Sequence, residues 1–143
     1  MPKVFSPYLY LSRTMTMRES GAGLYYNFNP ELPEPLNVIH PLRVKAVQKL
    51  LALPIPEEVD YIFLFGGCLD LACHIYSDVD LYAITSDSDT KAVNRKLYLL
   101  FRELGVRIDL LTATKEEFLD RAGDIGTVEH DIQKKGVLIY AKD

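Results

Sequence analysis

The chain is short of cysteine, of net positive charge and of long hydrophobic runs, and each shortage excludes something. Only Cys68 and Cys73 are present, five positions apart. That spacing is neither a CxxC redox pair nor half of a zinc knuckle, so neither a disulfide framework nor a structural zinc is expected to fold the chain. Such sparse cysteine use fits a reducing cytoplasm. Sixteen Lys and Arg stand against twenty Asp and Glu, a net charge of −4. An acidic chain is a poor general binder of nucleic-acid backbone, whose affinity comes from Lys and Arg displacing counterions. Residues 1–13 lack the basic start and apolar run of a signal peptide. The most apolar stretch, Tyr61 to Cys73, is interrupted by Gly66, Gly67 and Asp70 and is too short to span a bilayer.

What is there is a chain of 143 residues, 48% hydrophobic and 25% charged. This is the range of one ordinary globular domain, able to bury about 70% of its unfolded surface. A module with one site is expected, with no room for separate cofactor and substrate domains.

Residues 1–37 differ from the remainder. Pro2, Pro7, Pro30, Pro33 and Pro35 exclude a long helix, and six Phe and Tyr residues argue against simple disorder. Tyr8–Leu11 and Leu24–Phe28 read as short strands joined by a turn at Gly21-Ala-Gly23. An ordered N-terminal extension over 1–37 is expected, followed by the main domain over 38–143.

From Pro41 a helical stripe of Leu42, Val44, Ala46, Val47, Leu50 and Leu51 runs toward Pro54. Tyr61–Phe65 reads as a buried strand closed by Gly66-Gly67, and Asp78–Thr85 as a second strand. Ser86 to Asp89 caps a helix reaching about Leu104, stopped by Gly105. Val106–Leu111 is a third strand, Thr114 to Glu117 a capping box, Thr127–Lys135 a last helix and Val137–Ala141 a final strand. The order predicts an α/β or α+β domain, a mixed central sheet with helices packed on it.

Asp78-Val-Asp80 carries the chemistry. Residues i and i+2 of a strand share a face, so both carboxylates project together. Like charges that close repel unless a cation lies between them. From Asp70 to Asp89 there are five aspartates and no Lys or Arg, so nothing local neutralises the pair. Mg²⁺ takes carboxylates together with substrate phosphates. Asp109, between Ile108 and Leu110 in a strand expected to be buried, is costly unless paired or metal-bound. If its strand neighbours that of Asp80, three carboxylates converge as in two-metal phosphoryl-transfer sites.

Gly66 and Gly67 follow a buried strand, where glycine lets backbone N–H groups approach phosphate. No Gly-Lys-Ser/Thr follows, so this is not a Walker loop. Lys91 and Arg95, four apart on one helix face, are the candidate phosphate cations, with a solvated face as the plain alternative. Arg107 should point away from Asp109 across its strand. Tyr76 reads equally as a base-stacking ring or as core.

Together, Phe63-Leu-Phe-Gly-Gly67, ten residues, then Ser77-Asp-Val-Asp-Leu81, with Asp109 in Arg107-Ile-Asp-Leu110 and the ending Lys135 to Tyr140, resemble the nucleotidyltransferase superfamily that includes DNA polymerase beta, in its minimal stand-alone branch. The resemblance covers roughly residues 42–141. Gly67 stands where the motif has Ser, and Asp70 and Leu71 stand where it usually has a basic residue and a glycine. The resemblance implies a nucleotidyltransferase fold and two Mg²⁺ ions on Asp78, Asp80 and Asp109. It also implies an NTP, with ATP first, held at Gly66, Gly67 and Ser77, with Lys91 and Arg95 as the candidate cations from outside the motif. AMP would pass to an acceptor hydroxyl, as in AMPylation of a HEPN-type partner in toxin–antitoxin pairs. The acidic balance disfavours an RNA acceptor, and no membrane role is implied. The rival expectation is a catalytically degenerate protein of the same fold, acting as an interaction module or antitoxin.

Overall fold

A computed structural model gives the fold, and it describes residues 28–69 and 73–142. The hairpin strands expected at Tyr8–Leu11 and Leu24–Phe28 lie outside these residues except for Phe28, as do Asp70 and Leu71.

Each helix starts where a local cap stops the chain. In α1 (Pro41–Leu51), proline takes the first position and His40 Nδ1 accepts the Leu42 N–H. In α2 (Thr90–Phe101) the Asp89 carboxylate accepts the Ala92 N–H. In α3 (Lys115–Ala122) Thr114 and Glu117 close the capping box reciprocally, and in α4 (Val128–Lys135) Thr127 accepts from His130. After α2 a 3₁₀ turn, Arg102–Leu104, ends at Gly105, whose φ of 72° is left-handed.

Four strands form one mixed sheet: β1 (Val59–Phe65), β2 (Val79–Thr85), β3 (Ile108–Thr114) and β4 (Val137–Ala141), in the order β3-β2-β1-β4. β1 runs antiparallel to β2 and β4, while β2 and β3 are parallel, joined through α2. The mixed α/β class is therefore as expected. β3 begins two residues later than predicted and runs three further, because it follows β2 in register as far as Thr85↔Thr114.

Alternation along the strands feeds two cores. Val79, Leu81 and Ala83 face Val47 and Leu50 of α1 and Val93, Leu97 and Phe101 of α2. Tyr82 and Ile84 face Phe118 and Ala122 of α3 and Ile132 of α4. The central strands are covered on both sides, which is why β1 and β2 read as near-continuous apolar runs. Leu36 and Val38 of the preceding segment also pack on the first core. Among the described residues, no helix is long and apolar enough to cross a membrane.

The second core holds one buried acid. Glu129 is 6% exposed; Tyr82 Oη donates to its Oε2 at 2.7 Å, and Arg121 Nη1 lies 3.6 Å away. Tyr82→Phe removes a partner from a carboxylate that is largely buried. The variant is expected to lose about 1–3 kcal/mol in urea unfolding, and an unchanged midpoint would show that Arg121 alone satisfies Glu129.

Candidate functional site

The site sits where β1 ends and β2 begins. In the register, Phe65 lies opposite Asp80, and Asp80 lies beside Asp109 on the parallel neighbour. Residues side by side in a parallel ladder point to the same face, so Asp80 and Asp109 share a side of the sheet, the side of Tyr82 and Ala113. The expected neighbouring of the two strands is thus found.

Gly66 is tied to Asp80 in two ways. Its φ of 78° is left-handed, and a Cβ there would overlap the Asp80 Oδ2. Any side chain at 66 would displace the carboxylate. Gly67 has open space at its own Cβ position, and its backbone N–H hydrogen-bonds Asp80. The two glycines therefore cradle a carboxylate of the chain itself, whereas the sequence reading assigned their N–H groups to a phosphate.

The Asp80 carboxyl is pushed up to about 6, first by burial, then by the charges of Asp109 and Asp78, against the Gly67 hydrogen bond. Asp78 precedes β2. Its Oδ1 lies 3.3 Å from Arg107 Nε, in a salt bridge whose arginine side chain is 85% exposed. This corrects two expectations. Arg107 does not point away from the aspartates, and Asp78 does have a local counter-charge. The long arginine side chain leaves the start of β3, where the Val79 N–H bonds the Arg107 carbonyl, and turns onto its neighbour.

Asp109 is exposed, so no desolvation forces a partner on it. The expectation of a buried strand fails because β3 is an edge strand, with Leu111 also 41% exposed. Among the described residues, no three His, Cys, Asp or Glu side chains are spaced to hold a metal ion. The donors nonetheless fit Mg²⁺ chemically: they are hard oxygens, and the Asp80 carboxyl is raised first by burial and then by the charges of Asp109 and Asp78, which a cation would offset. Asp78 would join them by leaving Arg107, an exposed pairing worth about 0–1 kcal/mol.

Sequence reasoning missed Arg43. It lies on α1 and is 6% exposed. Its Nη2 donates to the carbonyls of Ser77 at 2.7 Å, Ile75 at 2.8 Å and His74 at 3.4 Å, and its Nε donates to Ser77 at 3.2 Å. The loop leading into Asp78 is therefore pinned to α1 through its backbone. Ser77, expected near phosphate, uses its Oγ to accept the His74 N–H at 2.9 Å. The missed signal was Arg43 at positions i−4 and i−7 from the inward Val47 and Leu50.

Lys91 and Arg95 do not join the carboxylates. They line an open groove of about 520 Å³ with Thr90, Asn94, Tyr98 and Thr112. α2 packs on the sheet face opposite to the one that carries Asp80 and Asp109. Cys68 and Cys73 are both buried, and burial pushes the Cys68 thiol up to about 12, so that it packs as a small apolar residue. His74 is exposed.

No family model matches the chain, and no curated protein does. Several solved structures overlap it. A mutant form of the MntA–HpeT toxin–antitoxin is 15% identical, over 68% of this chain and 74% of that chain, with a TM-score of 0.49. A toxin–antitoxin with AMP-PNP is 19% identical over 68% and 73%, with a TM-score of 0.44. A tri-AMPylated Shewanella oneidensis HEPN toxin in complex with MNT antitoxin is 17% identical over 68% and 71%, with a TM-score of 0.43. These are partial likenesses of shape.

The raised carboxyl of Asp80 makes the site a destabilising element. Between pH 3.8 and about 6 the native chain binds more protons at Asp80 than the unfolded chain does, so stability falls as pH rises through that window. Asp80→Asn keeps an oxygen for Gly67 and removes the repelled charge. In metal-free buffer at pH 7 its Tm is expected a few degrees above that of the unaltered chain, and level with it at pH 4. A lower Tm at pH 7 would show that the charge stabilises the fold.

Proposed function

We propose that the chain is a Mg²⁺-dependent nucleotidyltransferase of the minimal polymerase-beta type, with residues 38–143 as the transferase unit and residues 1–37 as an extension of it. The observation that carries the proposal is Asp80 beside Asp109 in register, two residues after Asp78 and seated on Gly66-Gly67. Acids gathered at the head of a strand, with the Asp80 carboxyl raised by burial and then by the charges of Asp109 and Asp78, make a site that gains from a cation.

Asp78 and Asp80 would hold the metal pair, with Asp109 as a ligand to one ion. The metal supplies charge neutralisation for in-line displacement at a phosphorus. Asp109, exposed at the sheet edge, is open to an acceptor, and its carboxylate would take the proton of the attacking hydroxyl. Arg107, released when Asp78 turns to the metal, would meet a phosphate oxygen as a guanidinium donor. It takes the part that Lys91 and Arg95 were expected to play. The nucleotide proposed is ATP, and the reaction moves AMP onto an acceptor hydroxyl with release of pyrophosphate.

The acceptor follows from the sequence resemblance: a HEPN-type partner protein in a toxin–antitoxin pair, in the cytoplasm. The net charge of −4 supports a protein acceptor over RNA.

A second reading has its own observation. The Gly67 N–H is bonded to Asp80, and Lys91 and Arg95 lie across the sheet, so phosphate donors at the site are few. A degenerate member of the fold, acting as an interaction module or antitoxin, would look like this. The test is incubation with labelled ATP, Mg²⁺ and candidate acceptors, including a HEPN-type protein. Transfer is expected, with loss of at least about 10³-fold in the Asp78→Ala, Asp80→Ala double variant. Label transfer that persists in the double variant contradicts the site, and Mg²⁺-independent silence toward every nucleotide favours the second reading.

A further inference from the structure

Resting on that reading of the site, we infer that Tyr76, presented by the loop that Arg43 pins, is the stacking surface for the nucleotide's base. The loop's polar groups are turned inward. Arg43 holds the carbonyls of His74, Ile75 and Ser77. The Ser77 N–H bonds the His74 carbonyl at 2.9 Å, the His74 N–H bonds Ser77 Oγ, and the Tyr76 N–H bonds His74 Nδ1 at 3.2 Å. With the backbone tied down in this way, the side chains of Ile75 and Tyr76 stand outward, 63% and 80% exposed.

Neither side chain belongs to either core, so the fold gains little from their being apolar. The expectation that Tyr76 might be core is thereby removed. Its ring is not loose, because the imidazole of His74 lies edge-on to it, with centroids 6.2 Å apart and planes at 63°. Tyr76 lies two residues before Asp78, within about 7 Å along the chain. A flat, oriented ring at that distance from a proposed metal-holding carboxylate suits the aromatic end of a nucleotide whose phosphates meet the metal. Stacking of this kind accepts any base, because every base has a π-face. Discrimination among bases is therefore expected to be weak, with purines favoured by their larger face.

The experiment is calorimetric titration of the full chain, in Mg²⁺, with a non-hydrolysable ATP analogue and with tripolyphosphate, which has the phosphates and no base. The unaltered chain is expected to bind the analogue about tenfold or more tightly than tripolyphosphate. Tyr76→Ala should bring the two affinities together by weakening only the analogue, and Tyr76→Phe should restore the gap. The exposed position makes either variant safe for folding, and unchanged melting checks this. Equal weakening of both ligands, or no weakening of either, overturns the inference. The last result would assign the exposed pair to a protein partner. If the unaltered chain binds neither ligand, the nucleotidyltransferase reading itself falls, and the stacking surface falls with it. If it binds both ligands equally, only the stacking surface falls.

Discussion

A guanidinium buried among carbonyl oxygens holds the site together. Among the described residues, Arg43 makes an ion pair with no carboxylate; its partners there are the carbonyls of Leu42, His74, Ile75 and Ser77. A charge in that position is tolerated only because nearly every donor has an acceptor, and charge-assisted bonds are worth about 1.5–3 kcal/mol each. The arrangement binds in both directions. Without the loop the arginine would lose most of its acceptors, and without the arginine the carbonyls of Ile75 and Ser77 would lose the donor described for them. α1, itself packed against the sheet through Val47 and Leu50, thereby fixes the point at which the chain enters β2. The placing of Asp78 and the outward stance of Tyr76 both follow from this.

Beyond that anchor, the site works against the fold. Asp80 is partly buried next to two other carboxylates, and its only offset among the causes of its shift is one backbone N–H. Gly66 must be left-handed and must lack a side chain to leave room for it. Such a concentration of unfavourable charge is the kind of local defect that proteins retain where function requires it. The salt bridge from Arg107 relieves Asp78 alone, and with an exposed arginine it relieves it weakly. A divalent cation is the counter-charge that would satisfy all three acids together.

Much of this was legible in the sequence. Helices start at Pro41 and after the caps Asp89, Thr114 and Thr127, close to where the sequence predicts, because helix starts are local chemistry. The spacing of Gly66-Gly67 to Asp78 and Asp80 announced the turn and the strand, and Asp109 does lie beside Asp80. What escaped depends on the third dimension. Hydrophobicity alone does not say which strand takes the edge, so Asp109 was expected to be buried and is exposed. Strand alternation puts Arg107 and Asp109, two apart, on one face, so the expectation that Arg107 points away ran against the strand period, and its salt bridge to Asp78 agrees with that period. Helical spacing puts Lys91 and Arg95 on one face but does not say which side of the sheet that helix covers. Arg43 was passed over because an arginine within an apolar stripe is ordinarily a solvated one.

The central claim is that Asp78, Asp80 and Asp109 share one divalent cation site at the head of β2. Titration of Mn²⁺ into the ¹⁵N-labelled chain, read as paramagnetic broadening of backbone amides, locates that site directly. Broadening should appear first and together at Gly66, Gly67, Val79, Asp80 and Asp109, be reversed by excess Mg²⁺, and spare Lys91, Asn94 and Arg95. Broadening centred instead on Asp87 and Asp89, or spread evenly over the exposed acids, would contradict the account.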